Sequence, residues 1–133
     1  MNNEDLINLA KKARKNAHVS MSNFSVGAAL LTKEGKVFTG CNIEDPSGIG
    51  VTNICAERCA IIKALSEGYK DFEKIAVVGG EEELISITPC GACRQYLNSF
   101  SKDILIICLD NNEIKKINLK ELLPYSFSEK FEK

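Results

Sequence analysis

The chain has 133 residues, 44% of them hydrophobic, and a formal net charge of −1 at pH 7, which suits one domain with a single core. Its 17 basic and 18 acidic residues are interspersed, so no basic stripe is available for nucleic-acid phosphates. The acidic N-terminus does not resemble a signal peptide, and the longest apolar run, Ile104 to Leu109, is too short to span a bilayer. We therefore expect one cytoplasmic domain over residues 1–133, without a nucleic-acid or membrane partner.

Helices and short strands alternate in the predicted chain order. The predicted elements are a helix over 6–17, strands over 26–32 and 36–41 joined by a turn at Glu34-Gly35, a helix over 56–67, a strand over 75–78, a helix over 91–100, strands over 104–109 and 113–117, and a short helix over 120–123. This order predicts an α/β fold in which helices cover both faces of a mixed five-stranded sheet.

Six cysteines are present, and without an export signal we expect reduced thiols. Three of them lie in apolar stretches and are expected to be small core residues: Cys41, Cys59 and Cys108. The other three stand at predicted helix starts, within Cys55-Ala56-Glu57-Arg58 and Pro89-Cys90-Gly91-Ala92-Cys93. Metal binding is the preferred interpretation of Cys55, Cys90 and Cys93.

The helix starts favour thiolates at Cys55 and Cys90, because free backbone N–H groups and the helix dipole stabilise negative charge there. Cys93 follows Cys90 by three residues and lies on the same side of its helix. If the two helices meet with their N-termini together, three sulfurs converge on one point. Three protein ligands would leave a tetrahedral zinc ion with one open position, as in catalytic zinc sites.

Two further residues of the first motif suit such a centre. Glu57 is predicted to reach the open position and to exchange a proton with a water there, as a general acid and base. Three thiolates donate much negative charge and weaken the acidity of that water. Arg58 follows Cys55 by three residues, so it is predicted to donate charge-assisted hydrogen bonds to sulfur and to compensate that charge.

Other interpretations of the cysteines stay open at this point. Cys90 and Cys93 alone would suit a redox pair, although a thioredoxin-like context is missing. A structural zinc would need a fourth ligand, such as Cys59 or His18, and the first motif has no second ligand at the usual knuckle spacing. A chain without any metal is the third alternative.

Five segments in order resemble the zinc-dependent cytidine deaminases of the small type with three cysteine ligands, over nearly the whole chain. They are Ser22 to Leu31, Gly40-Cys41-Asn42-Ile43-Glu44, the two cysteine motifs (the second extended by Arg94-Gln95), and Glu121-Leu122-Leu123-Pro124 with Phe127. The resemblance implies the three-layer α-β-α fold of that family and one zinc ion per subunit, held by Cys55, Cys90 and Cys93.

The resemblance also implies contacts with a pyrimidine nucleoside. Asn42 and Glu44 would bind the ribose hydroxyls, and Phe24 would pack against the base. The backbone N–H of Ala56 would face the base carbonyl, and the carbonyl of Thr88 would accept from the exocyclic amine. Without the resemblance, Asn42 would be interpreted as a turn residue, Glu44 as a solvated side chain and Phe24 as a core residue.

Family members are homotetramers with shared active sites, so Phe127 is expected to reach the cavity of a neighbouring subunit. By composition alone it could instead contact its own core. The implied reaction is hydrolytic deamination of cytidine and 2′-deoxycytidine to uridine and 2′-deoxyuridine plus ammonia, in pyrimidine salvage. Zinc-activated water would attack, and Glu57 would shuttle the proton.

Two departures from the family pattern lie near the sugar and subunit contacts. The segment 45–54 has no Tyr and about two extra residues, and Met21 replaces the usual Tyr before Ser22. The altered 45–54 segment favours an alternative of the same fold, an aminohydrolase for another cytosine nucleoside such as blasticidin S, whereas the pair of Asn42 and Glu44 favours an ordinary ribose. A zinc-binding module without turnover is a further alternative.

Overall fold

The computed structural model describes residues 1–128, and its elements follow the predicted order closely. They are α1 (Asn3–Ala13), β1 (Ser25–Thr32), β2 (Val37–Cys41), α2 (Ala56–Ser66), β3 (Phe72–Gly80), α3 (Gly91–Phe100), β4 (Leu105–Asp110), β5 (Glu113–Asn118) and α4 (Leu119–Leu122). Short 3-10 turns lie at Arg14–Asn16 and Gly50–Thr52.

The first helix ends earlier than its predicted boundary at residue 17. α1 stops at Ala13, and the chain tightens into a 3-10 turn. The side chain of Arg14 lies at this point and donates from Nε to the Ser25 carbonyl and from Nη2 to the Gly80 carbonyl, both at 2.8 Å. The chain therefore leaves the helix where Arg14 binds the start of β1 and the end of β3.

The five strands form one sheet in the order β2-β1-β3-β4-β5. β3 and β4 are parallel, and the other neighbouring strands are antiparallel. The parallel pair is joined through α3, because parallel strands need a long crossover connection. The predicted mixed five-stranded sheet is confirmed.

Helices cover both faces of this sheet and enclose two apolar layers. On one face, α1 packs on β1, β3 and β4, through Leu6, Ile7, Ala10, Ala29, Leu31, Ala76, Val78, Ile107 and Leu109. On the other face, α2, α3 and α4 pack on the sheet through Ala56, Ala60, Ile61, Ala64, Leu97, Leu119, Ala28, Leu30, Phe38, Ile75 and Ile106. Burying each Leu or Ile contributes about 1.5–3 kcal/mol. The three-layer α-β-α architecture is thus confirmed.

A glycine sets how closely α2 approaches the sheet. A Cβ at Gly40 would lie 2.4 Å from the carbonyl oxygen of Ala56 and 2.7 Å from the amide nitrogen of Ala60. Any larger residue would push the first turn of α2 away from β2. Gly40 therefore fixes the start of α2 beside the end of β2.

Three chain segments meet at one edge of the sheet because of the strand register. β1 is antiparallel to both neighbours, with Gly27 opposite Cys41 and Ser25 opposite Gly80. The start of β1 therefore lies beside the ends of β2 and β3, and the irregular segments that follow those ends lie there too. Among the elements of residues 1–128, no helix combines the length and apolar character needed to cross a membrane.

Candidate active site

Three cysteine sulfurs lie together where α2 and α3 begin. Cys55 and Cys90 occupy the N-cap positions of the two helices, and Cys93 lies in the first turn of α3. Their sulfurs are all within 4.8 Å of one another, and those of Cys55 and Cys90 are 3.8 Å apart. Tetrahedral zinc, with Zn–S bonds of about 2.3 Å, needs sulfurs about 3.8 Å apart. The cluster therefore fits a zinc ion.

The composition of the cluster distinguishes a catalytic zinc site from a structural one. Within residues 1–128 the metal-ligating group contains neither Cys59 nor His18, the two candidates for a fourth ligand. All six cysteines are free thiols in this structure. Cys108 is buried as predicted for a core residue, whereas Cys41 and Cys59 are only partly buried. Three protein ligands leave an open position, which is the arrangement of catalytic sites.

Hydrogen bonding distributes charge unequally among the three sulfurs. The pKa of Cys55 is lowered to about 5, chiefly because Cys93 donates a hydrogen bond to it, with further help from Arg58 and Cys90. The pKa of Cys93 is raised, because its thiol is the donor to Cys55 and because it is buried. One sulfur is thus favoured as a thiolate and another as a thiol. A bound cation would stabilise all three sulfurs as thiolates.

Arg58 lies against the cluster, on the helical face that its spacing from Cys55 predicts. Its Nη2 donates to the Cys55 sulfur at 3.5 Å. Its Nε is buried and has no hydrogen-bond partner within the part of the chain that the structure describes. Contact with sulfur is therefore present, and charge compensation by Arg58 stays a prediction.

Glu57 is a buried carboxyl in the first turn of α2, with 4% of its surface exposed. Burial raises the pKa of Glu57 to about 7, and the negative charge of Cys55 adds to the rise, although its own backbone N–H opposes it. A carboxyl with this pKa can hold or release a proton near neutrality. It lines the same cavity as Cys55 and Cys90.

That cavity has a volume of about 320 Å³, which is within the usual range for small-ligand sites. Its lining brings together most of the residues predicted for the site. The lining residues are Phe24, Val26, Asn42, Glu44, Asn53, Ile54, Cys55, Ala56, Glu57, Ile87, Thr88 and Cys90. Cys93, Arg58 and Phe127 are not among them.

Asn42 follows β2 and holds the start of β1 in place. Its Oδ1 accepts from the backbone N–H of Val26, and its Nδ2 donates to the carbonyl of Phe24, both at 2.8 Å. The amide therefore fixes the backbone next to Phe24, another residue of the cavity wall.

Glu44 binds the turn before β1 on the same side of the cavity. Its Oε1 accepts from the backbone N–H groups of Met21 and Ser22, at 3.0 and 3.1 Å. Hydrogen bonds from the Ser22 hydroxyl and then from these amides lower the pKa of Glu44. The residue is therefore an ionised acceptor at neutral pH.

Ala56 and Thr88 also line the cavity. Ala56 is the first residue of α2, where the leading N–H groups of a helix lack partners within the helix. Thr88 precedes Pro89 and Cys90 in an irregular segment, and its hydroxyl accepts from Nη2 of Arg94 at 2.7 Å.

Phe127 lies away from the cavity of its own chain, with 82% of its surface exposed. Its backbone is held by the side chain of Gln95, which donates to the Phe127 carbonyl at 2.9 Å and accepts from its N–H at 3.2 Å. The expected contact with a neighbouring subunit is untested, and a contact with its own core is not seen.

The sequence analysis missed several wall residues. Asn53 lines the cavity, and its Oδ1 accepts from the Asp45 N–H at 2.6 Å. Its position two residues before Cys55 is the sequence feature that could have identified it as a site residue. Val26, Ile54 and Ile87 complete the apolar wall, and nothing in their sequence pattern distinguishes them from core residues.

Comparisons with known proteins agree with this geometry. Residues 1–109 match the family model described as the cytidine and deoxycytidylate deaminase zinc-binding region. A cytidine deaminase of Sporosarcina psychrophila is 45% identical over 130 residues, which cover 96% of this chain and 93% of that protein. A blasticidin-S deaminase of Bacillus cereus is more distant, at 32% identity over 77% of this chain and 76% of that protein.

Solved structures give the same result for the fold. The cytidine deaminase of Burkholderia pseudomallei has a TM-score of 0.86 and 41% identity, covering 96% of this chain and all of that one. That of Mycobacterium tuberculosis has a TM-score of 0.81 and 32% identity, covering 96% and 98% of the two chains. With the family model matched over most of its length, the chain belongs to the cytidine and deoxycytidylate deaminase family.

Proposed function

We propose that the protein hydrolyses cytidine and 2′-deoxycytidine to uridine and 2′-deoxyuridine, with release of ammonia. One observation carries the proposal: a buried carboxyl, Glu57, lines the same cavity as two sulfurs of a zinc-compatible cluster. The relatives at 45% identity are cytidine deaminases, and this supports the same substrate here. The same relatives argue against a zinc-binding module without turnover.

The residues present suit the chemistry of this reaction. When bound by Cys55, Cys90 and Cys93, zinc supplies a Lewis acid that makes a water acidic enough to act as a nucleophile near neutral pH. The Glu57 carboxylate takes one proton from the attacking water and delivers it to N3 of the base. It then carries the second proton of that water from the new C4 hydroxyl to the departing amine. Addition of water at C4 and loss of ammonia leave the carbonyl of the uracil ring.

The walls of the cavity bind and orient the nucleoside in this proposal. Asn42 and Glu44 bind the ribose hydroxyls, and Phe24 packs against the base. The Ala56 N–H donates to the base carbonyl, and the Thr88 carbonyl accepts from the exocyclic amine. The support is their common position around one cavity.

The assembly is proposed to be a homotetramer in which Phe127 enters the cavity of a neighbouring subunit. Its exposed ring and its fixed backbone support this arrangement, because a large apolar side chain held out from the surface suits a partner. We further propose a single domain over residues 1–133, a role in pyrimidine salvage and a cytoplasmic location, where six free thiols remain reduced.

A substrate panel tests the proposed function. Purified protein with measured zinc content is incubated with cytidine, 2′-deoxycytidine, cytosine, CMP and blasticidin S, and the ammonia released is measured. We expect turnover of the two nucleosides, and little turnover of CMP because the acidic Glu44 lies at the sugar side of the cavity. Exclusive activity on blasticidin S would favour the alternative substrate, and zinc-loaded protein inactive on the whole panel would contradict the proposed function.

A further inference from the structure

The segment between β3 and α3 has few hydrogen bonds of its own. It forms one wall of the cavity through Ile87 and Thr88 and leads directly into Cys90. Its earlier part is anchored, since Ile85 donates to the Gly79 carbonyl at 2.9 Å. Within residues 1–128, however, the hydrogen bonds to Thr88 and Pro89 both come from one side chain, that of Arg94.

The guanidinium of Arg94 binds three separate acceptors. Nε donates to the Pro89 carbonyl at 2.7 Å, Nη2 donates to the Thr88 hydroxyl at 2.7 Å, and Nη1 donates to the Leu122 carbonyl at 2.8 Å. Leu122 is the last residue of α4, where helix carbonyls lack partners within the helix. The planar, charged fork therefore joins the cavity wall to the end of α4.

This arrangement gives Arg94 a task that its place in the cysteine motif does not reveal. It lies one residue after Cys93 but is not a ligand, and it does not line the cavity. Its own backbone N–H continues α3 by donating to the Cys90 carbonyl at 2.9 Å. Its side chain thus folds back over the helix start and restrains the two residues that precede Cys90.

We propose that Arg94 is a positioning residue, which holds the Thr88–Pro89 backbone so that the Thr88 carbonyl meets the exocyclic amine of the substrate. The inference rests on the proposed function for the identity of that substrate. It adds that the position of this cavity wall depends on Arg94, a side chain outside the cavity that also binds the end of α4. Loss of the Arg94 guanidinium releases the Thr88 carbonyl from its fixed position, whereas the three cysteines of the cluster stay available as metal ligands.

Two measurements on Arg94→Met test this role. The first is ¹⁵N relaxation of the backbone amides of Ile87, Thr88 and Cys90, which reports local order without any turnover. We expect increased motion at Ile87 and Thr88, and unchanged order in β4. Unchanged relaxation at these amides would overturn the proposal, whatever the substrate of the enzyme is.

The second measurement compares two ligands that differ in the amine. For cytidine we expect kcat/KM to fall by about 10-fold or more, because charge-assisted hydrogen bonds set the position of the acceptor. For the pyrimidin-2-one ribonucleoside, which has no exocyclic amine, we expect the affinity to change less than about 3-fold for the same reason. An equal loss for both ligands would overturn the role in amine recognition.

Matched variants keep the test decisive if Arg94→Met does not fold. Thr88→Val removes one acceptor of the fork and should give a smaller loss of the same kind. Arg94→Lys cannot reach three acceptors at once and should retain only part of the order. A parent enzyme without turnover of cytidine would refute the proposed function, and the relaxation measurement would still decide the role of Arg94.

Discussion

At the scale of single residues, two polar side chains at the cavity bind backbone, in addition to the sugar contact that we propose for them. Asn42 holds Val26 and Phe24, and Glu44 holds Met21 and Ser22. The sequence could indicate a sugar site through its resemblance, but not these contacts, since they depend on the start of β1 lying beside the end of β2. Substitutions at either position should therefore alter the cavity wall as well as the contact with ribose.

Arg58 carries the first residue-scale prediction. Arg58→Ala should keep the fold and reduce zinc affinity or activity by about 10–100-fold, the usual effect of losing a partner of a metal ligand. The physical reason is its hydrogen bond to the Cys55 sulfur, through which we propose that it offsets the charge of three thiolates. Zinc content is measured by metal analysis and activity by the cytidine assay. Arg58→Lys is the control with retained charge, and an unchanged rate and zinc content in Arg58→Ala would refute charge compensation.

At the scale of elements, the packing of α2 on β2 positions Cys55 and Glu57, which lie at the start of α2. Helix and strand boundaries were largely predictable, because apolar periodicity and turn glycines mark them locally. The strand order and the parallel pairing of β3 with β4 were not, because they depend on contacts between segments far apart in the chain. The convergence of two helix starts was expected only because both carry cysteines.

Gly40→Ala tests the packing of these elements. The added Cβ would meet the Ala56 carbonyl and the Ala60 amide, so we expect a loss in unfolding free energy of about 1–3 kcal/mol from overpacking. We also expect weaker zinc binding, because Cys55 moves with the start of α2. Urea unfolding and metal analysis measure the two effects.

Gly50→Ala is the matched control for that experiment. A Cβ at Gly50 would have no heavy atom within 4 Å, and its φ lies outside the left-handed region. Its unfolding free energy should change by less than about 0.5 kcal/mol, as at ordinary surface sites. Equal effects of the two substitutions would show that the close approach at Gly40 is not what limits this position.

At the scale of the whole molecule, Phe127 is a predicted site residue that does not line the cavity of its own chain. Its backbone is bound to Gln95 on α3, the helix that also carries Cys93. The sequence could suggest a shared site only by resemblance, since an exposed aromatic near a chain end has no local pattern that names its partner.

Complementation tests the shared active site. Phe127→Ala and Glu57→Gln should each lower activity, the first by removing a contact from the neighbour and the second by removing the proton carrier. Subunits of the two variants, mixed under reversible dissociation, should recover part of the activity, because some hybrid sites contain both native residues. Each variant alone, taken through the same treatment, is the control. Mixtures no more active than the separate variants would contradict a shared site.

The most direct test of the central claim is the turnover of cytidine by Glu57→Gln, measured as loss of the cytidine absorbance band on protein of known zinc content. The amide preserves the size of the side chain but cannot carry the proton. The expected result is a normal fold, zinc content equal to that of the parent protein, and a rate at least about 100-fold lower. Undiminished turnover by the zinc-loaded variant would contradict the assignment of Glu57 and the mechanism built on it.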